Sequence, residues 1–195
     1  MKNIAVFFAD GFEEIEALTP VDYLRRAGLN VIMVQVPSST TKEKNVVISA
    51  HNIKVITDIT LEEFFDKYKG NCPDCCICPG GLNGAKNLGS NKELLHFMED
   101  SYLTGHFIAA ICASPALVLG KTNILKDKYW TCYPGMEIET KREYMENYKD
   151  LPFLTDGTLV TGRGPGASEQ FAMELVRIFA GEEKAAEIKK GSCLR

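Results

Sequence analysis

The chain has 195 residues, 45% of them hydrophobic and 25% charged, with a net charge of −4 at neutral pH. These values are ordinary for one soluble globular domain spanning residues 1–195. No Lys/Arg run points to nucleic acid, and no apolar run approaches the roughly 20 residues that cross a bilayer.

The first apolar run, Ile4–Ala9, is too short for a signal peptide and leads straight into Asp10, Glu13 and Glu14. A cytoplasmic protein is expected, and the seven cysteines then read as free thiols rather than disulfides. Ile4–Ala9 itself suits a strand covered on both faces. Thr19-Pro20-Val21-Asp22 predicts a helix start, with threonine as cap and proline at the first position, running to a stop at Gly28. Asn30–Val36 is a second strand, and Val46–Ile48 with Ile53–Ile56 reads as a hairpin. Leu61–Tyr68 predicts a short helix, and Asp74–Cys78 a strand ending in Pro79-Gly80-Gly81. Asn91–Tyr102 is helical, with Leu94, Leu95 and Met98 as its apolar stripe. His106–Ile111 is a strand that feeds a helix near Ser114-Pro115. Strands are expected at Tyr129–Cys132 and Thr158–Gly162, with a charged helical stretch, Glu137–Tyr148, between them. Gly166–Ala180 is a long amphipathic helix, and a short helix follows. Alternating strands and helices predict an α/β fold with a mostly parallel sheet, whose sites form at the carboxyl ends of strands.

Three turns fall at such ends, and one carries a cysteine. Ala110-Ile111-Cys112-Ala113-Ser114 has the small-x-Cys-x-small spacing of a nucleophile elbow, a sharp strand-to-helix turn that exposes the nucleophile. The following helix would aim N–H groups at the sulfur and favour thiolate. The N–H of Ala113, with a glycine of Gly80-Gly81, could receive an oxyanion. A buried structural cysteine is the plainer alternative. Asp10-Gly11-Phe12-Glu13-Glu14-Ile15-Glu16 crowds acids after the first strand. They could simply favour a helix start, or place one raised-pKa carboxyl beside Cys112.

Other motifs are weaker. Cys72-Pro73-Asp74-Cys75 begins a C-x-x-C, but no second pair completes a tetrahedral zinc site, so no metal is expected. Gly80-Gly81-Leu82-Asn83-Gly84 lacks the Gly-Lys-Ser/Thr of a P-loop. Arg163-Gly164-Pro165-Gly166 offers a cation and free N–H groups ahead of a helix, though a glycine turn explains it as well.

Taken together, Glu13-Glu14-Ile15-Glu16-Ala17, Cys78-Pro79-Gly80-Gly81-Leu82, Ala109-Ala110-Ile111-Cys112-Ala113 and Arg163-Gly164-Pro165-Gly166 resemble the DJ-1/ThiJ/PfpI family. Order and spacing agree over nearly the whole chain, most closely with the DJ-1-like branch. The resemblance implies a flavodoxin-like three-layer sandwich, a homodimer, no cofactor, a reactive Cys112 and a protonated Glu16 beside it. Gly80, Gly81, Ala113, Tyr133 and Arg163 are the expected oxyanion- and substrate-binding residues. Arg26 is expected to reach towards the partner's site, with His51 near the same seam.

Members of this family are described as oxidative-stress sensors, chaperones, glyoxalases, deglycases and proteases. One departure bears on that choice. Thr131-Cys132-Tyr133-Pro134 puts Tyr133 where many relatives carry histidine, and none of His51, His96 and His106 is placed to replace it. A Cys–His hydrolase or protease is therefore not expected. Two readings stay open: a cysteine-dependent glyoxalase or deglycase acting on small reactive carbonyls, and a non-enzymatic redox sensor or chaperone acting on client proteins.

Overall fold

A computed structural model describes residues 1–194. The chain runs β1 (Asn3–Phe8), α1 (Glu14–Arg26), β2 (Asn30–Gln35), β3 (Val46–Ile48), β4 (Lys54–Ile56), β5 (Ile59–Thr60), α2 (Leu61–Lys67) and β6 (Cys75–Cys78). It continues through α3 (Leu82–Ser90), α4 (Lys92–Leu103), β7 (Phe107–Ile111), α5 (Ser114–Leu117), α6 (Arg142–Met145), β8 (Phe153–Asp156), β9 (Leu159–Gly162), α7 (Ser168–Ala180) and α8 (Glu182–Gly191). The seven-stranded sheet has the order β5-β2-β1-β6-β7-β9-β8, parallel except for β8 against β9. Leaving aside the two-residue β5, the parallel strands follow the flavodoxin-like order, with the topological switch between β1 and β6.

The central strands are apolar throughout because helices cover both faces. Ile4–Phe8, Cys75–Cys78 and Ile108–Ile111 are fully buried. Parallel pairing aligns Ile4 with Cys75 and Cys75 with Phe107, so β1, β6 and β7 end at nearly one level. Their carboxyl ends hold Asp10-Gly11, Pro79-Gly80-Gly81 and Cys112.

Three elements differ from the sequence expectation. Helix α1 starts at Glu14, and Pro20 lies inside it. Buried Glu16, Ala17, Pro20, Val21 and Leu24 form an unbroken helical stripe, and packing against α7 outweighs the hydrogen bond that Pro20 cannot donate. Tyr129–Cys132 makes only one parallel bridge, Trp130 to Tyr148, because the free edge of β9 is taken by β8. Trp130 is instead buried, with its indole N–H donating to the Tyr144 carbonyl at 2.8 Å. Glu137–Tyr148 breaks into a 3₁₀ turn at Glu137–Glu139 and the single turn α6.

Candidate functional site

Cys112 has φ of +64°, a left-handed conformation that is uncommon for any residue but glycine. The surrounding backbone enforces it. Its N–H donates to the Gly162 carbonyl at 2.9 Å, and its carbonyl accepts the Tyr133 N–H at 2.8 Å. The Ser114 hydroxyl donates to the Pro79 carbonyl at 2.6 Å, fastening the elbow to the turn after β6. Such enforced strain is typical of functional positions. The cysteine is 9% exposed, at the lip of the sheet.

Glu16 comes from the first turn of α1 and is fully buried. Its Oε2 accepts the Gly80 N–H at 2.9 Å. Its Oε1 is buried with no hydrogen-bond partner within the chain, and the carboxyl stands beside Cys112, both against the space that a Gly80 Cβ would fill. Gly80 is required here, since a Cβ would collide with the Glu16 carboxylate and stand 3.0 Å from the Cys112 Sγ. The Gly80 N–H is therefore committed to Glu16 and cannot receive an oxyanion. The N–H groups directed at the sulfur are those of Gly81 and Ala113.

Electrostatically the two groups are one unit. Burial pushes the Glu16 carboxyl up to about 7, with Glu13 adding like charge, while the contacts to Cys112 and the Gly80 N–H oppose. Burial also pushes the Cys112 thiol up to about 12, and the Glu16 charge adds to that. The Gly81 and Ala113 N–H groups pull it down. The strong helix-dipole effect expected from sequence is not available, because α5 has only four residues. Thiolate formation depends instead on where the shared proton sits. With Glu16 protonated, the repulsion is gone and the carboxyl becomes a donor.

Tyr133, half exposed, lies against Gly164, whose absent Cβ would come 3.3 Å from the tyrosine ring and 4.0 Å from Glu16 Oε1. Beyond them opens a cavity of about 620 Å³ lined by Tyr133, Pro134, Pro152, Arg163, Gly164 and Gln170. Cys112 and Glu16 do not line it; they sit behind Tyr133 and Gly164. Arg163 holds Asp150 through Nε at 3.2 Å.

Arg26 lies ten residues along α1 from Glu16, roughly 15 Å at helical rise. It pairs with Asp22 at 2.7 Å, so within one chain it does not meet Cys112. His51, in the β3–β4 turn, bonds Glu14 through Nδ1 at 2.8 Å. Burial opposes ionisation of Glu14, but His51, Ser49 and backbone N–H groups together bring it down to about 2. Glu13, Glu14 and His51 offer ligand atoms within 4.8 Å of one another. Among the described residues, the C-x-x-C cysteines form no such group. The β3–β4 hairpin was legible, but its clamp on Glu14 was not, because 37 residues separate Glu14 from His51. No described helix is long and apolar enough to cross a membrane.

An enforced cysteine elbow and a buried carboxyl, set at the carboxyl ends of a flavodoxin-like sheet, define a class of α/β protein with a thiol–carboxyl pair at its centre. Residues 2–178 match the model of the DJ-1/PfpI family, and the chain belongs to that family. It is 32% identical over 194 residues to Protein dj-1beta of Drosophila melanogaster, covering 97% of this chain and 96% of the fly protein. It is 35% identical to Protein DJ-1 homolog B of Arabidopsis thaliana over 97% of this chain, but spans only 41% of that protein's length. The oxidized DJ-1 of Toxoplasma gondii superposes with a TM-score of 0.87 at 27% identity, covering 99% of this chain and 98% of that one.

Proposed function

We propose that this DJ-1-like protein acts in carbonyl or oxidative stress as a cofactor-independent glyoxalase or deglycase on small reactive carbonyls. The observation that carries the reading is the buried Glu16 carboxyl set beside Cys112 at an enforced elbow. The Cys112 thiolate adds to an aldehyde carbon, and the Glu16 carboxyl gives its proton to the forming alkoxide, yielding a hemithioacetal. The Gly81 and Ala113 N–H groups stabilise charge on that oxygen. For methylglyoxal, the Glu16 carboxylate then removes the C1 proton and returns it to C2 through an enediol, leaving a thioester. Water hydrolyses the thioester to lactate and frees the thiol, so the net reaction is addition of one water. Tyr133 and Arg163 border the approach to the pair and bind the incoming substrate.

The protein works as a cytoplasmic homodimer in this reading. Ile15 on α1 and Ile53 beside the hairpin are each more than half exposed and suit a face covered by a second copy. Turnover of methylglyoxal to lactate by the wild type, lost in Cys112→Ser and in Glu16→Gln, is the expected result. Undiminished turnover in Cys112→Ser would overturn the reading. A second reading rests on the same Gly81 and Ala113 N–H groups, which suit a sulfinate as well as an oxyanion. Peroxide-dependent formation of Cys112 sulfinate without carbonyl turnover would favour a redox sensor or chaperone.

A further inference from the structure

A second cavity, of about 660 Å³, lies away from Cys112 at the topological switch of the sheet. Its walls come from three separate turns and one helix. Asp10 and Gly11 follow β1, Ser39, Thr40 and Lys42 follow β2, Ile48 and Ser49 belong to the hairpin, and Asn83, Lys86 and Asn87 belong to α3. Open α/β sheets bind ligands in the crevice at this point, and the volume lies in the usual range for a small-molecule site.

Asp10 holds the walls together. It is 8% exposed. Its Oδ1 accepts the Ile48 N–H at 2.9 Å, and its Oδ2 accepts the Thr40 hydroxyl at 2.8 Å and the Ser38 hydroxyl at 3.2 Å. Its carbonyl accepts the Asn87 amide at 2.8 Å, which locks α3 to the turn after β1. The Asp10 charge is thus spent on fixed donors of the wall. What remains facing the cavity is donor-rich. Among the described residues, Lys42 and Lys86 have no carboxylate within ion-pair distance, and the Asn83 amide and Ser39 hydroxyl make no hydrogen bond within the chain.

We propose that this crevice binds a small phosphomonoester, with its phosphate between Lys42 and Lys86 and its remainder along Asn83 and Gly11. Two point charges with free hydrogens match a dianion with three acceptor oxygens. The cavity is far larger than a phosphate ion needs, so the occupant is an ester rather than free phosphate. The site shares no residue with the Glu16–Cys112 pair, and the proposal does not rest on the function proposed above.

The test is titration with adenosine monophosphate, adenosine and inorganic phosphate, followed by amide chemical shifts of the isotope-labelled protein. Adenosine monophosphate should shift Gly11, Ser39 and Asn83, bind more tightly than phosphate, and leave adenosine without effect. Lys42→Ala and Lys86→Ala should each weaken binding roughly tenfold, the scale of one charge-assisted hydrogen bond. Cys112→Ser should bind as the wild type does. Equal affinity for phosphate and the nucleotide would overturn the ester assignment. Shifts confined to residues around Tyr133, or affinity unchanged in both lysine variants, would overturn the site.

Discussion

Replacing Glu16 with glutamine isolates the charge that governs the thiol. The substitution keeps the shape and an N–H donor for Cys112 but removes the ionisable oxygen. In the wild type, burial and the carboxylate together push the thiol up to about 12. Two like unit charges at about 4 Å repel by about 4 kcal/mol at an effective dielectric near 20, or roughly three pH units, which sets the scale for a carboxylate beside a thiolate. Proton sharing hides part of this, because the first proton lost from the pair near neutral pH comes partly from each group. The wild type should therefore form thiolate in two steps, the second well into the alkaline range. Glu16→Gln should titrate as one site, at least roughly two units below that second step. Ultraviolet thiolate absorbance, taken as the difference from Cys112→Ser, measures both curves. Glu16→Leu, which removes charge and donor alike, should titrate above Glu16→Gln. A single transition at the same pH in wild type and Glu16→Gln would refute the coupling and reduce Glu16 to a structural anchor for Gly80.

Peroxide titration with peptide mass spectrometry should find sulfinate at Cys112 before the exposed Cys193, since the Gly81 and Ala113 N–H groups favour the oxidised anion. First oxidation at Cys193 would show that exposure alone governs reactivity. Gly80→Ala should destabilise the fold by about 1–3 kcal/mol in denaturant melts and abolish carbonyl turnover, because its Cβ meets Glu16 and Cys112 at once. Sedimentation should give a dimer at micromolar concentration, weakened by Ile15→Asp; a monomer would remove the two-copy reading. The Glu14–His51 contact should stabilise the hairpin most between the unfolded pKa values of the two groups. Glu14, lowered to about 2, loses its contribution as pH falls below about 4.5. His51, raised by its hydrogen bond to Glu14, loses its own as pH climbs past 6.5 and through the raised value. Hydrogen exchange at Ile53 should slow within that window, and His51→Ala should flatten the profile.

The sheet was readable because its central strands are apolar on both faces and end on glycine or small-residue turns. What escaped detection was set by competition between distant segments. Pro20 follows a threonine and has every local mark of a helix start, yet it sits one turn and more inside α1. The stripe Glu16, Ala17, Pro20, Val21, Leu24 is buried as a unit, and local capping chemistry contributes too little to break it. Likewise Trp130–Cys132 has strand composition but no open edge to join. Phe153–Asp156, half-buried and less apolar, occupies that edge because the two-residue turn at Gly157-Thr158 brings it there.

The site divides along the same line. Residue types and spacing pick out Cys112, Gly80, Gly81 and Ala113, because an elbow leaves only small side chains room beside the nucleophile, whereas Glu16 is singled out from Glu13 and Glu14 by the family resemblance alone. Sequence could not show which N–H serves which anion. Gly80 and Gly81 are adjacent and look equivalent, yet Gly80 donates to Glu16 while Gly81 is directed at the sulfur. That division has a chemical consequence. The N–H that holds Glu16 favours its ionised form, and the N–H groups on Cys112 favour thiolate, so the turn pulls the single proton both ways. Burial disfavours two anions side by side, so the two groups titrate as a coupled pair. In the proposed glyoxalase reading, moving hydrogen from C1 to C2 of a bound carbonyl is the work of this pair. In that reading acid–base work falls to Glu16 rather than to a histidine, and a change to either N–H partner should alter turnover as surely as a change to Glu16 itself.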